Sequence, residues 1–328
     1  MDEKVFDLIA IGNAIVDVLI NVDESFLIKN SLQKGSMTLI DENKAKELYL
    51  GSTAALETSG GSAANTAAGL LNLGSSANFI GRVKEDKLGK VFRDDICQTG
   101  AGFNTSLLKE GPSTGRCLIY VTPDAERTMC TYLGCSTLLN EKDIDFSILT
   151  KAKLLYLEGY LWDLDEAKNA FKTAAIECRK NGVKVALSLS DIFCIERNRE
   201  SFQALLEEHV DILFANENEI IALYQSSSFD SAVTNIKEKC ELAVLTRGSK
   251  GSLILSNGRE YSIKSYNFGK TIDTTGAGDL YASGFLHGYI NNKDLLTCGK
   301  FGSICAGHIV TQLGSRSKAS LKKLINEN

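Results

Sequence analysis

Only two prolines punctuate the 328 residues of this chain, and histidine and methionine appear three times each. Three scattered histidines make a structural transition-metal site an unlikely use of them. Nine cysteines contain no Cys-x-x-Cys pair, which removes the usual zinc spacing. Their odd count fits reduced thiols better than a disulfide framework. No apolar run approaches the length of a membrane span. The opening Met1-Asp2-Glu3-Lys4 lacks the layout of a secretory signal, so a cytoplasmic protein is expected. Positive charge is not in excess either. A net charge of −5 offers no electrostatic case for binding nucleic acid or an anionic membrane. Internal repeats and low-complexity segments are also missing.

What remains is the composition of a soluble globular protein, 44% hydrophobic and 23% charged, with ample length for a large core. The segment 5–11 ends at Gly12 and reads as a strand buried on both faces. Similar runs span Lys153 to Leu157, Val183 to Leu189, Asp211 to Phe214 and Leu242 to Thr246. Helical patterns lie between them, from Asp163 to Asn181 with Gly182 as a stop, and from Asn216 to Tyr224 with Asn216 as a cap. Strands alternating with helices imply an α/β fold with a mainly parallel sheet covered on both faces.

Residues 103–135 break that alternation. Cys117 to Val121 and Thr128 to Leu133 are β-rich, and Thr122-Pro123-Asp124-Ala125 between them has turn chemistry. A hairpin amid βαβ units implies a separate small sheet, to which Val16 to Ile20 and Met37 to Ile40 can add strands. The expectation is a single domain over 1–328 with a β-sheet lid formed from about 13–40 and 103–135.

The most informative stretch is Asp273-Thr274-Thr275-Gly276-Ala277-Gly278-Asp279, after an extended run from Tyr261 to Ile272 and before a helical run from Leu280 to Ile290. Two glycines at the mouth of a helix let backbone N–H groups approach an anion, which the helix dipole favours. An acid directly after such a nest repels phosphate, yet it suits a hydroxyl that attacks phosphorus. The plainer alternative is a loop-to-helix turn with Asp279 in the first helical turn. Other phosphate-binding designs fail on spacing. Gly269-Lys270-Thr271 resembles the end of a P-loop, but Lys264 stands where its glycine belongs, and Tyr281 occupies the third glycine position of Gly-x-Gly-x-x-Gly.

The whole heptad resembles the signature of the ribokinase-like (PfkB) sugar and nucleoside kinases. The likeness covers nearly the whole chain and is nearest to bacterial adenosine-kinase-like members, through segments such as 121–129, 158–163 and 188–191. It implies a three-layer α/β/α fold with a β-sheet lid over the acceptor. It also implies Asp279 as the catalytic base and the N–H groups of Gly276, Ala277 and Gly278 as an anion hole. A helix N-terminus is expected to lower the Asp279 pKa. This is tolerable, since proton loss can come late in phosphoryl transfer.

Three segments resemble the family's acceptor-site motifs. In 12–17, Asn13 and Asp17 are the candidates, Asp17 for a sugar diol; a solvated turn acid is the alternative. In 60–65, Gly60 and Gly61 allow close approach to a ligand and Asn65 points from the first turn of a helix running to Leu73; simple capping is the alternative. In the proposed lid, Arg127 would swing over the transferred phosphoryl, with Arg116 a weaker candidate and Ile15, Leu39 and Tyr132 as walls against a base. On the donor side, Asn216 and Glu219 match the family's Asn-x-x-Glu, which organises Mg²⁺ through water. Thr246 and Gly248 would line ATP, although a plain hairpin turn has the same residues. The resemblance also sets a monovalent cation such as K⁺ near Asp273, itself expected to fix the loop.

The expected reaction is ATP-dependent phosphorylation of a nucleoside 5′-hydroxyl, adenosine to AMP. A ribokinase- or fructokinase-like sugar kinase and an inosine/guanosine kinase stay open. A non-catalytic nucleotide sensor would lack the acid at 279. Monomer and homodimer are both compatible with the sequence.

Overall fold

A computed structural model describes residues 5–124 and 126–328. The expectation drawn from Met1 to Lys4 and the turn residue Ala125 lie outside the described residues. Thirteen strands follow in chain order: β1 Phe6–Ile11, β2 Ile15–Asn21, β3 Met37–Leu39, β4 Leu56–Gly60, β5 Ala77–Ile80, β6 Gly115–Val121, β7 Arg127–Tyr132, β8 Ala152–Glu158, β9 Lys184–Ser188, β10 Ile212–Asn216, β11 Leu242–Thr246, β12 Ser252–Ser256 and β13 Arg259–Ile263.

Eight of them form one sheet in the order β13-β12-β11-β10-β9-β8-β1-β5. All pairs from β5 to β11 are parallel, and β12 and β13 close the far edge antiparallel. The buried runs explain why. Along β1, Leu8 and Ala10 pack on one face and Ile9 and Ile11 on the other, each against its own layer of helices. The first layer brings the helices Ser62–Asn72 and Ala277–Ile290; the second brings Asp165–Lys180 and Ile192–His209. Each large apolar side chain so buried contributes roughly 1.5–3 kcal/mol. The result is the three-layer α/β/α arrangement.

Strands β3-β7-β6-β2-β4 make the second, smaller sheet. Its alternation splits cleanly. Val16, Val18, Ile20, Leu118 and Tyr120 pack beneath helices at Glu24–Lys29 and Glu42–Leu50, while Ile15, Asp17, Cys117 and Ile119 face a cleft. Strand β4 lies beyond the two stretches from which this sheet was expected. The extended run before the heptad is also shorter than read: β13 ends at Ile263, and 264–276 is irregular. No helix among the described residues is long and apolar enough to cross a membrane.

The chain leaves β1 for β5 on one side and later returns to β8 on the other, so the strand order reverses between β1 and β8. Open α/β sheets bind ligands outside the carboxyl ends of strands at such a point.

Candidate active site

A cleft of about 730 Å³ opens there, between the carboxyl ends of the large sheet and the inner face of the small one. This falls within the roughly 300–1,000 Å³ of small-molecule sites. It is lined by Asn13, Asp17, Gly61, Asn65, Asn216, Glu219, Thr246, Gly248, Gly276, Ala277, Gly278 and Asp279, all predicted site residues. Gly60 sits just behind it, against Asp17. Arg127 is buried beside it.

The helix Ala277–Ile290 starts from Gly276, which takes a left-handed φ of +78° as N-cap. A Cβ there would lie 2.7 Å from the Cβ of Ser315, so only glycine makes this turn. Of the three amides expected to face an anion, that of Ala277 already donates to Thr274 O at 3.1 Å. The amides of Gly276 and Gly278 meet no acceptor among the described residues.

Asp279 follows in the first turn. Its Oδ1 accepts from Ser62 Oγ at 2.6 Å and its Oδ2 from Asn65 Nδ2 at 3.0 Å. Burial raises its pKa above the ordinary carboxylate value, against the pull of those two hydrogen bonds and of the Arg316 charge. The expected lowering by the helix N-terminus is thus reversed, because desolvation of a charge in the cleft floor outweighs it.

Asp17 is a carboxylate without a donor. No hydrogen bond from the described residues reaches its side chain, and burial lifts its pKa to about 6 although Arg316 and Arg127 pull it down. Beside it Gly61 has φ +98°, and a Cβ there would overlap the Asn13 carbonyl. Asn13 is fixed at both ends of its amide: Nδ2 donates to Glu158 at 3.0 Å and Oδ1 accepts from Ser136 Oγ at 2.7 Å.

Glu158, at the end of β8, was not singled out from the sequence. It also accepts from the backbone N–H of Asn13 and of Ala63, at 3.1 and 2.7 Å. It therefore joins β1 to the start of the Ser62 helix across the topological switch. Burial pushes its pKa up to about 7 despite three N–H donors.

Asn216 and Glu219 form a capping box. Asn216 Oδ1 accepts from the amides of Asn218 and Glu219, and the Glu219 carboxylate accepts from Asn216 N at 2.9 Å and Nδ2 at 2.5 Å. The ordinary capping role is real, but the acid is not solvated; burial raises it to about 7. Thr246 to Gly251 forms the turn between antiparallel β11 and β12, and Thr246 and Gly248 nevertheless border the cleft.

Arg127 Nη1 lies 2.8 Å from Asp273 Oδ2, with both side chains buried. The contact is an ion pair with poor hydrogen-bond alignment, so all three guanidinium nitrogens lack an acceptor. Asp273 also accepts from the amides of Thr275 and Gly314, which fixes the loop. A separate monovalent cation does not fit at this carboxylate, since Arg127 already supplies its positive partner. Arg116 and Tyr132 point away from the cleft: Arg116 packs between the Tyr49 and Tyr132 rings on the outer face. Residues 116 and 132 pair across the strands, one step out of phase with cleft-facing Cys117 and Thr131.

The chain matches the family described as pfkB family carbohydrate kinase over residues 37–322. Among solved structures, it is similar to a probable sugar kinase protein from Rhizobium etli CFN 42 (41% identity, 98% of each chain, TM-score 0.91). It is equally similar to the adenosine kinase from Sinorhizobium meliloti (41%, 98% of this chain and 99% of that one, TM-score 0.90). A more distant relative is the 5-dehydro-2-deoxygluconokinase of Bacillus subtilis (strain 168), 25% identical over 96% of this chain and 93% of its own.

Proposed function

The chain belongs to the pfkB family of carbohydrate kinases, and on that premise we propose that it phosphorylates the 5′-hydroxyl of a nucleoside, adenosine to AMP. As a family member it is an ATP-dependent phosphotransferase acting on a hydroxyl of a sugar or nucleoside. The observation that supports a nucleoside is the amount of apolar surface in the cleft. Ile15, Leu39, Ile119 and Met129 line one side, and the rings of Tyr160 and Phe193 line another. A bare polyhydroxylated sugar gains little from such walls, whereas a planar base buries itself against them.

Asp17 supplies the diol site. Two vicinal hydroxyls would donate the hydrogen bonds that its carboxylate lacks, which also favours its ionised form. Asn13 and Asn65 flank the sugar, each with one unused amide position. Asp279 aims the 5′-hydroxyl and accepts its proton, and its raised pKa makes it a better base near neutrality. The free amides of Gly276 and Gly278 face charge growing on the transferred group. Arg127, with unanswered N–H groups, approaches the same charge. At the donor end, Thr246 and Gly248 border ATP. The oxygen donors of Asn216 and Glu219 fit Mg²⁺ held through water, because their own mutual hydrogen bonds stay intact that way. When bound, the ion neutralises phosphate charge. Positioning then carries most of the catalysis, as phosphoryl transfer demands.

A second reading, a sugar kinase, is favoured by the Bacillus subtilis relative. Thermal shift with a ligand panel separates the two, since only ligands of the native state stabilise it. Adenosine should raise the melting temperature. A rise with ribose, fructose or 5-dehydro-2-deoxygluconate but not adenosine removes the nucleoside assignment.

A further inference from the structure

Arg316 approaches the catalytic acid from behind, and no motif announces it. It lies in the irregular stretch between the helices ending at Ile309 and starting at Leu321. Its Nε donates to Asn65 Oδ1 at 3.0 Å, and Nη2 donates to both O and Oγ of Ser59 at 3.0 Å. Ser59, on strand β4 of the small sheet, is held in turn by Asp95 Oδ2, to which its amide and hydroxyl donate at 2.8 and 2.5 Å. An arginine has no acceptor, so it can meet only the oxygen end of the Asn65 amide. The nitrogen end is thereby turned to Asp279, where it donates at 3.0 Å. A chain of hydrogen bonds thus runs from Asp95 through Ser59, Arg316 and Asn65 to Asp279.

The same guanidinium is the cation among three carboxylates, Asp95, Asp17 and Asp279. Around Asp279 itself, the Ser62 helix offers only the neutral donors Ser62 and Asn65. Strand β2 offers Asp17, and β8 with the turn after it offers Glu158, Tyr156 and Tyr160. All of these are acids. Arg127 acts on Asp17, and Arg316 is the basic group that acts on both Asp17 and Asp279. Two carboxylates facing each other in one cleft cannot both ionise without such a partner.

We infer that Arg316 is a positioning residue for phosphoryl transfer: it fixes Asp279 through the Asn65 amide and supplies the charge that lets Asp17 and Asp279 ionise side by side. This rests on reading Asp279 as the base. It gives Arg316 no contact with substrate.

The test compares wild type with Arg316→Met and Arg316→Lys in the full-length protein, by carbon-13 NMR titration of the Asp279 and Asp17 carboxyls and by pH profiles of kcat. In Arg316→Met both midpoints should rise by about one unit or more, within the roughly 1–3 units a nearby opposite charge is worth. The acid limb of kcat should move with them, lowering turnover roughly tenfold or more near pH 6.5 while KM for ATP stays close to wild type. Arg316→Lys, which keeps the charge, should leave the midpoints near wild type. Truncation at Arg316→Ala opens on a 360 Å³ pocket that Arg316, Asp95 and Thr58 line, so added guanidinium should restore part of the rate there. Unmoved midpoints and an unmoved acid limb in Arg316→Met overturn the inference, even if that variant is slower or less stable. If Arg316→Met does not fold, Asn65→Leu decides: the Asp279 midpoint should rise while that of Asp17 stays. A wild type that phosphorylates no acceptor overturns the proposed function instead, and the titration still judges Arg316.

Discussion

Gly60 lies flat against the carboxylate of Asp17: a Cβ built on Gly60 would stand no farther than 2.6 Å from any of its three atoms. The glycine is there for space, because its strand β4 runs beside β2 and leaves no room between them. Gly60→Ala should therefore push the carboxylate out of its place. The expected result is a KM for the acceptor raised about tenfold or more with KM for ATP unchanged, measured by steady-state kinetics.

Asp17→Asn should separate stability from function. The Asp17 pKa is raised to about 6 in the folded chain, above an unfolded value near 3.9. Its stabilising contribution is then complete below the unfolded pKa and is lost as pH rises through about 6. At pH 8 the free Asp17→Asn protein should be more stable than wild type by about 1–2 kcal/mol, and the two should converge near pH 4. Adenosine should stabilise wild type far more than the variant. Parallel stability curves from pH 4 to 8 would contradict this account.

The contact between the two central helices should be equally unforgiving. A Cβ on Gly69 would come within 2.8 Å of Ser283 Cβ and 2.9 Å of Leu280 Cδ1. Ser283 Oγ also donates to the carbonyls of Thr66 and Asp279 at 2.9 and 2.8 Å. Gly69→Ala should cost about 1–3 kcal/mol by denaturant melts. It should also lower kcat, because Ser62 and Asn65 move away from Asp279.

Leu39 tests the nature of the acceptor. It lines the cleft yet is 47% exposed on edge strand β3, so a polar replacement costs little stability. Leu39→Asn should raise KM for adenosine by roughly tenfold, the worth of about 1–2 kcal/mol of apolar contact. Turnover of any sugar that the enzyme accepts should not change.

The parallel sheet was legible because its strands are apolar on both faces, and the heptad because glycines and an acid in that order serve few purposes. Strand β4 was not, since Leu56-Glu57-Thr58-Ser59-Gly60 has neither alternation nor an apolar run. The orientations of Arg116 and Tyr132 were available in principle. Counting by twos from Asp17 and its neighbour Cys117 puts both on the outer face. Glu158 looked like the end of a strand and nothing more. Arg316 had no local signal at all: its partner Asn65 is 251 residues away, and only the folded chain brings them together.

The central claim is that Asp279 aims a nucleoside hydroxyl at the terminal phosphorus of ATP. The most direct test follows ADP release with adenosine, inosine, guanosine, ribose, fructose and 5-dehydro-2-deoxygluconate, for wild type and Asp279→Ala, with phosphorus NMR of the products. Wild type should convert adenosine to its 5′-monophosphate, and Asp279→Ala should bind both substrates but turn over about 10²–10⁴-fold more slowly. Undiminished ADP production by Asp279→Ala would contradict the account.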